Sequence, residues 1–156
     1  MMKFTKTKEI LNQLVADLSQ MSVVIHQVHW YMRGPGFLFL HPLMDQHMEN
    51  IDDQLDEVSE RLITLDGSPY STLYEFAEHT KIDAEPGRWD KSIPEHFETL
   101  VKGYRYLTDL YQEGIEVSGE EGDDASQDIF ISNKSDLEKR IWMLQAELNQ
   151  APKIDA

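Results

Sequence analysis

The chain has 156 residues, 40% of them hydrophobic, which is the size and composition of one domain with one core. Its formal net charge of −15 disfavours binding to nucleic acid and to anionic membranes, and it attracts cations. There is no cysteine, which excludes disulfides and thiolate metal sites, and no apolar run is long enough to predict a membrane span. Residues 1–20 carry charges throughout and show no secretory signal, so we expect a cytoplasmic protein.

Four long helices are predicted in chain order from apolar residues spaced three and four apart. Their expected ranges are residues 5–32, 38–65, 92–117 and 123–149. The first two end at turn-forming segments, Arg-Gly-Pro-Gly at 33–36 and Asp-Gly-Ser-Pro at 66–69. The acidic run at 119–124 is interpreted as a loop that enters the fourth helix.

The connection between the second and third helices, residues 67–91, is too long for a hairpin turn. Residues 71–76 within it have the sequence of a capped start of a short helix. No segment alternates apolar and polar residues for long enough to predict a strand. We therefore expect a single all-α domain over residues 1–156. A long crossover at the middle of a four-helix chain is typical of a ferritin-like bundle, with a short extra helix in the crossover.

A second stripe of side chains runs beside the apolar one on the second helix, and all its members are acidic. They are Asp45, Glu49, Asp52, Asp56 and Glu60. Their spacing of three and four places them on nearly one face of the helix. An acidic stripe is most often a solvated surface, but this one borders the buried face and begins four residues after a histidine. A metal-binding function therefore has to be weighed against the solvated one.

His29, His41 and Asp45 can converge, because the short turn at 33–36 places the end of the first helix near the start of the second. Imidazole with carboxylate suits Fe, Zn, Mn or Cu. Asp56 lies eleven residues beyond Asp45, about 16 Å along a helix, so both cannot bind the same metal ion from one chain. If two copies of the second helix pack antiparallel about a two-fold axis, Asp56 and Glu60 of one chain can meet the histidines of the other.

Two familiar metal motifs are absent. None of the six histidines has a glutamate three residues before it, so the Glu-x-x-His motif of intrachain di-iron sites in carboxylate bundles is absent. HExxH is also absent, which excludes the common zinc-protease motif.

The pattern resembles that of the Dps family of mini-ferritins, over nearly the whole chain. The residues that carry the resemblance are His29-Trp30, Arg33-Gly34, Phe37, Leu40-His41 with Asp45, Asp56 with Glu60-Arg61, Gly67-Ser68-Pro69, Thr72 with Glu75, the Glu121–Asp124 region and Ile141-Trp142-Met143. The resemblance is strongest to the peroxide-resistance branch with short N-termini.

The resemblance implies a dodecameric shell of 23 symmetry that oxidises Fe(II), preferably with hydrogen peroxide, and stores the ferric product inside. It implies ferroxidase centres between two subunits, each with two iron ions. Their ligands would be His29, His41 and Asp45 from one chain and Asp56 and Glu60 from its partner, with Zn or Mn as possible substitutes for iron.

The resemblance also assigns functions to residues outside the centre. Asp124 and Asp128 take the positions of an iron entry pore, and Gly119 stands where close relatives carry an acidic residue. Other implied functions are mineral nucleation for Glu49 and Asp52, radical quenching or interface packing for Trp30 and Trp142, and a carboxylate hydrogen bond or a buried polar contact for His26.

Some family members bind DNA through a lysine-rich N-terminal tail, but this chain has only Lys3, Lys6 and Lys8 before and at the start of its first helix. Twelve chains would carry about 180 negative charges, so we expect no DNA binding at physiological salt. Two alternatives to a ferroxidase remain: a non-catalytic shell that buffers Zn or Mn, and a structural four-helix protein whose acidic stripe is simply solvated.

Overall fold

The computed structural model describes residues 2–156, and these form five helices and no strand. The helices are α1 (Thr5–Tyr31), α2 (Phe37–Thr64), α3 (Leu73–His79), α4 (Ile93–Glu121) and α5 (Asp124–Glu147). The four long helices form a bundle, and α3 lies in the crossover between α2 and α4. This confirms the predicted all-α, ferritin-like architecture. No helix within residues 2–156 is both long and apolar enough to cross a membrane.

The predicted apolar stripes form the core of the bundle. α1 packs against α2 and α4, and α4 packs against α5. The largest fully buried side chains include Phe97, Tyr104, Tyr111 and Phe130, and burial of each contributes about 1.5–3 kcal/mol. α4 and α5 approach closely at Gly114, where an added Cβ would lie 2.8 Å from a carbon of the Phe130 ring.

The link between α4 and α5 is shorter than the sequence predicts. α4 continues to Glu121 instead of ending near Val117, so residues 119–121 are helical and were wrongly assigned to a loop. The helix ends at Gly122, whose positive φ of 77° suits glycine, and the Asp123 N–H satisfies the free carbonyl of Ser118 at 2.8 Å. Gly122 and Asp123 alone join the two helices.

The start of α1 is capped by a residue from the far end of α4. Phe4 precedes α1 in a left-handed conformation and offers no side-chain cap. The Glu121 carboxylate takes that place: it accepts hydrogen bonds from the Lys6 N–H at 2.9 Å, the Thr7 N–H at 3.0 Å and the Thr7 hydroxyl at 2.7 Å. Free N–H groups at a helix start need such acceptors.

The long crossover is anchored at one buried carboxylate, that of Asp17 in α1. Its Oδ1 accepts hydrogen bonds from the Thr80 hydroxyl at 2.8 Å and the Lys81 N–H at 2.7 Å. Its Oδ2 accepts from the Tyr106 hydroxyl at 2.6 Å and the Gln13 amide at 3.0 Å. Four donors offset the cost of burying the charge, and they join α1, α4 and the end of α3.

The predicted capping sequence in the crossover is confirmed. The Thr72 hydroxyl accepts from the Glu75 N–H, and the Glu75 carboxylate accepts from the Thr72 N–H, which is a capping box at the start of α3.

Candidate metal centre

Two histidines from different helices form a reciprocal pair where α1 ends and α2 begins. The Nδ1 atom of His29 is hydrogen-bonded to the His41 carbonyl at 2.9 Å, and the Nδ1 atom of His41 to the His29 carbonyl at 2.9 Å. Their rings stack with centroids 3.7 Å apart and an interplanar angle of 14°. Phe37 also stacks on the His41 ring, with ring centroids 4.8 Å apart. The two imidazoles are therefore fixed in position before any ligand binds.

The local backbone explains why this pair forms. α1 ends at Tyr31, so the His29 carbonyl is one of the last four of the helix and lacks an intrahelical partner. The turn at 33–36 reverses the chain, and Gly36 takes a positive φ of 94° immediately before α2. That reversal brings His41, in the second turn of α2, beside the free carbonyl.

The hydrogen bonds also set the tautomer of both rings. A carbonyl oxygen only accepts, so each Nδ1 carries the proton and donates it. In the neutral imidazole, the Nε2 atom then holds the free lone pair. Metal-binding histidines commonly have this arrangement, in which one ring nitrogen donates to a backbone carbonyl and the other is left for the metal.

Asp45 lies next to the pair. Its Oδ1 is 3.7 Å from Nε2 of His29, and its side chain is 66% exposed, whereas the His29 side chain is only 13% exposed. An exposed carboxylate over the edge of a buried imidazole can turn toward a cation at little cost. The three residues that the sequence grouped are thus neighbours on one end of the bundle.

One chain does not complete a metal site by itself. Within residues 2–156, no three histidine, aspartate or glutamate side chains are grouped closely enough to hold a metal ion. Asp56 and Glu60 lie farther along α2, which is one continuous helix, about 16 Å and more from Asp45. The structure keeps these two carboxylates apart from the histidines of the same chain.

Asp56 and Glu60 line an open depression of about 380 Å³ on the bundle surface. Asp53 and Glu57 line it as well, and so does Arg61. Sequence reasoning did not select Asp53 or Glu57, although each directly adjoins a stripe residue and the helical period places them on the neighbouring face. The depression is a concentration of negative charge that would attract a cation.

The remaining stripe residues are also exposed. The Ser22 hydroxyl donates a hydrogen bond to Asp52 Oδ1 at 3.1 Å, which ties that carboxylate to α1. Glu49 and Asp52 therefore face away from the core of the bundle, and their function in mineral nucleation stays a prediction.

The start of α5 is held in place by a buried ion pair. Asp123 caps the helix by accepting from the Ser126 N–H at 3.1 Å, and Arg61 donates to the same carboxylate at 2.7 Å. Asp123 is thus structural, whereas Asp124 and Asp128 are exposed to solvent, one turn apart. An added Cβ at Gly119 would meet the Gln127 amide at 2.6 Å. Gly119 is itself exposed, and the Gln127 side chain lies beside it.

The other aromatic and histidine residues named above lie either on the surface of the bundle or in its core. Trp30 and Trp142 are 63% and 50% exposed. His26 is hydrogen-bonded to the Ser22 carbonyl at 2.7 Å and packs against Trp30, so among the described residues it makes a backbone contact and no carboxylate contact. His47, for which the sequence suggested no function, is buried and is hydrogen-bonded to the Tyr104 hydroxyl at 2.7 Å. Burial lowers its pKa to about 4.

Comparison with known proteins places this geometry in context. A family model described as a ferritin-like domain matches residues 8–154. The DNA protection during starvation protein of Streptococcus suis (strain P1/7) is 54% identical over 148 residues, which cover 95% of this chain and 86% of that relative. The corresponding protein of Listeria innocua is 44% identical over 146 residues, 94% of each chain.

Solved structures of Dps proteins have a fold similar to that of this chain. Dps from Listeria monocytogenes is 44% identical, with a TM-score of 0.92 over 94% of this chain and 95% of that chain. Dps from Listeria innocua soaked with zinc is similar with a TM-score of 0.90 and 44% identity over 94% of this chain and 98% of that chain.

Proposed function

The chain belongs to the Dps family of ferritin-like proteins, and on that premise we propose that it is an iron-storing ferroxidase. In this proposal, it binds Fe(II) between two subunits, oxidises it with hydrogen peroxide and keeps the ferric product inside a dodecameric shell. Iron is the substrate and the stored product.

The observation that carries the proposal is the reciprocal histidine pair. The Nδ1 atoms of His29 and His41 are each hydrogen-bonded to a carbonyl, so each ring keeps its free lone pair on Nε2. Asp45 Oδ1 lies 3.7 Å from the Nε2 atom of His29. A histidine that served only to satisfy a core contact would not need an acid beside its free nitrogen. Imidazole and carboxylate are ligands that suit ferrous iron.

The second half of the centre would come from a partner subunit. Asp56 and Glu60 are exposed on the same helix and too far from the histidines of their own chain. An antiparallel approach of two α2 helices about a two-fold axis would bring them to the partner's histidines and create two equivalent sites. Carboxylates are hard ligands that favour the ferric product.

Two ferrous ions held together can reduce one peroxide completely. Two Fe(II), one hydrogen peroxide and two protons give two Fe(III) and two water molecules. Because both electrons arrive from one centre, the O–O bond breaks without release of hydroxyl radical. This is how we expect the protein to protect the cell and its DNA.

Iron would enter and be stored along acidic surfaces. Asp124 and Asp128 are exposed one turn apart at the start of α5, which supports the proposal that they line the entry pore. Glu49 and Asp52 continue the stripe and are candidates for mineral nucleation.

The name of the relatives refers to DNA protection, but the charge of −15 per chain opposes direct contact with phosphates. We propose protection through removal of iron and peroxide.

The test is an anaerobic Fe(II) titration of purified, iron-free protein, followed by peroxide, with ferric absorbance recorded and hydroxyl radical trapped. We expect fast oxidation, a soluble ferric product and little trapped radical. His41→Ala and Asp56→Ala should each lower the rate to that of iron in buffer. His79→Ala and Asp109→Ala, which alter the same residue types away from the centre, should leave it unchanged.

The alternative, a shell that only buffers zinc or manganese, predicts a different result. Metal would bind, and binding would be lost in His41→Ala, but Fe(II) oxidation would be no faster than in buffer. That outcome would overturn the ferroxidase proposal and keep the metal centre.

A further inference from the structure

A cavity of about 390 Å³ lies between α1, α4 and the segment that follows α3. Its walls include Val24 from α1, Tyr106 from α4 and residues 81–86 of the crossover. The histidine pair does not line it. The volume lies within the range of small-molecule sites, about 300–1,000 Å³.

The lining is positive on a strongly negative protein. Four of the 14 lysine and arginine residues of the chain line the cavity: Lys81, Arg88, Lys91 and Lys102. Only two acids, Asp83 and Glu85, line it with them. With His96 neutral, the lining carries a net charge of +2, whereas the whole chain carries −15.

Most of this positive charge is free to meet a ligand. Lys81 and Lys102 are exposed, and neither forms an ion pair within the described residues. Arg88 makes a solvent-exposed pair with Asp90 at 3.5 Å, which contributes little. Lys91 donates a hydrogen bond to the Thr99 hydroxyl at 2.6 Å and forms no ion pair within the described residues, although, after the hydrogen bonds from Ser92, its charge helps to lower the pKa of the nearby Glu95.

His96 adds a buried polar atom without a partner. The residue lines the cavity and is 2% exposed, and its Nε2 atom makes no hydrogen bond within residues 2–156. A buried, unpaired side-chain nitrogen costs about 1–3 kcal/mol, so an acceptor or donor supplied by a ligand would recover free energy. Burial, and then the nearby Lys91 charge, lower the pKa of His96, Glu95 raises it, and an anion in the cavity would oppose the effect of the Lys91 charge.

A cation or a helix-end site does not fit these contacts. The start of α4 beside the cavity is already closed by a capping box between Ser92 and Glu95. The Tyr106 hydroxyl donates to Asp17, and the Gln27 amide donates to the Glu85 carbonyl at 2.7 Å. The groups left to make new contacts are the four cationic side chains, His96 and the two carboxylates of Asp83 and Glu85, so the cations outnumber the acids, against an apolar wall of Val24, Ile82 and Pro86.

We propose that this cavity binds a small organic phosphate of about nucleoside monophosphate size. The phosphate would be held by the free ammonium groups of Lys81 and Lys102 and the exposed guanidinium of Arg88. A phosphate monoester carries about −1.5 to −2 at neutral pH, which matches the charge of the lining. The apolar wall would contact the organic part, and His96 Nε2 would donate to an anionic oxygen. This inference is independent of the ferroxidase proposal.

The test is isothermal titration calorimetry of iron-free protein with AMP, inorganic phosphate and adenosine as separate probes, in a buffer without phosphate at low salt. Iron is removed first because a ferric mineral adsorbs phosphate. We expect saturable AMP binding, competition by inorganic phosphate and much weaker binding of adenosine. Lys102→Gln, on an exposed position that does not endanger folding, should weaken AMP binding about tenfold, which is the effect of one lost charged contact.

Lys139→Gln is the matched control, since Lys139 is an exposed lysine of α5 that does not line the cavity. It should bind AMP as the unaltered protein does, and both variants should keep their rate of Fe(II) oxidation. Absence of saturable AMP binding would overturn the proposal. Equal weakening in both lysine variants would also overturn it, because binding would then follow net charge, and adenosine binding as tight as that of AMP would show that no anion is recognised.

Discussion

A site shared between two chains can be detected by mixing two inactive variants. His41→Ala removes a ligand from one half of the proposed centre, and Asp56→Ala removes a ligand from the other half. α2 is one unbroken helix, so the two halves of a single chain are held about 16 Å or more apart. Each two-fold pair of subunits would contain two centres, each using one half from each chain.

The expected activity follows from counting. If the two variants assemble at random in equal amounts, half of the subunit pairs contain one of each. In such a pair, one centre carries both substitutions and the other carries none. About one quarter of all centres should therefore regain the unaltered ligand set and the unaltered rate.

The assay is co-expression of the two variants with different affinity tags, purification through both tags, and peroxide-driven Fe(II) oxidation per centre. The matched control is co-expression of His41→Ala with Asp45→Ala, which damage the same half, so no intact centre can form. Activity no higher than that of either variant alone would refute the two-chain site. Equal recovery in the control would refute the division into halves.

Three further predictions concern stability and binding. Asp17→Asn replaces one buried acceptor oxygen by a donor and loses about half of its four hydrogen bonds. We expect the free energy of unfolding to fall by about 2–4 kcal/mol and the thermal midpoint to fall by about 5–15 °C. The control variant Asp109→Asn should keep the thermal midpoint of the unaltered protein. Burial raises the pKa of Glu121, but hydrogen bonds from Thr7 and then Lys6 lower it further, so the pKa lies below its ordinary value of 4.5. The Glu121 carboxylate therefore stabilises the folded protein above about pH 4.5, and this stabilisation is lost as the pH falls through the lowered pKa. The thermal midpoints of the unaltered protein and of Glu121→Gln should converge in acid. A gel shift at about 150 mM salt should show no DNA complex, and a clear band would contradict the charge argument.

The helices were predictable because their signals are local. The three- and four-residue spacing of the core side chains places all four long helices, and the Thr72 and Glu75 pair marks the start of α3 before any packing is considered. The grouping of His29, His41 and Asp45 was also accessible, since one short turn separates the two helices that carry them.

Contacts between distant parts of the chain could not be predicted from spacing. Glu121 caps α1 from 114 residues away, and no local pattern indicates that pairing. The same is true of Asp17, whose four donors come partly from residues more than 60 positions later. The extension of α4 through residues 119–121 was missed because glycines and acids at a helix end resemble a loop, whereas Gly122 alone ends the helix.

The reciprocal hydrogen bonds of His29 and His41 also bear on how such a site can evolve. Each ring is oriented by the backbone of the residue that carries the other, and the two rings stack on each other at 3.7 Å. Substituting either residue removes one ring and the stacking contact that held the second, although the second ring keeps its hydrogen bond to the backbone carbonyl, so the two losses should not add. A lineage that has lost one histidine therefore gains little by keeping the other, and selection should retain or discard them as a unit.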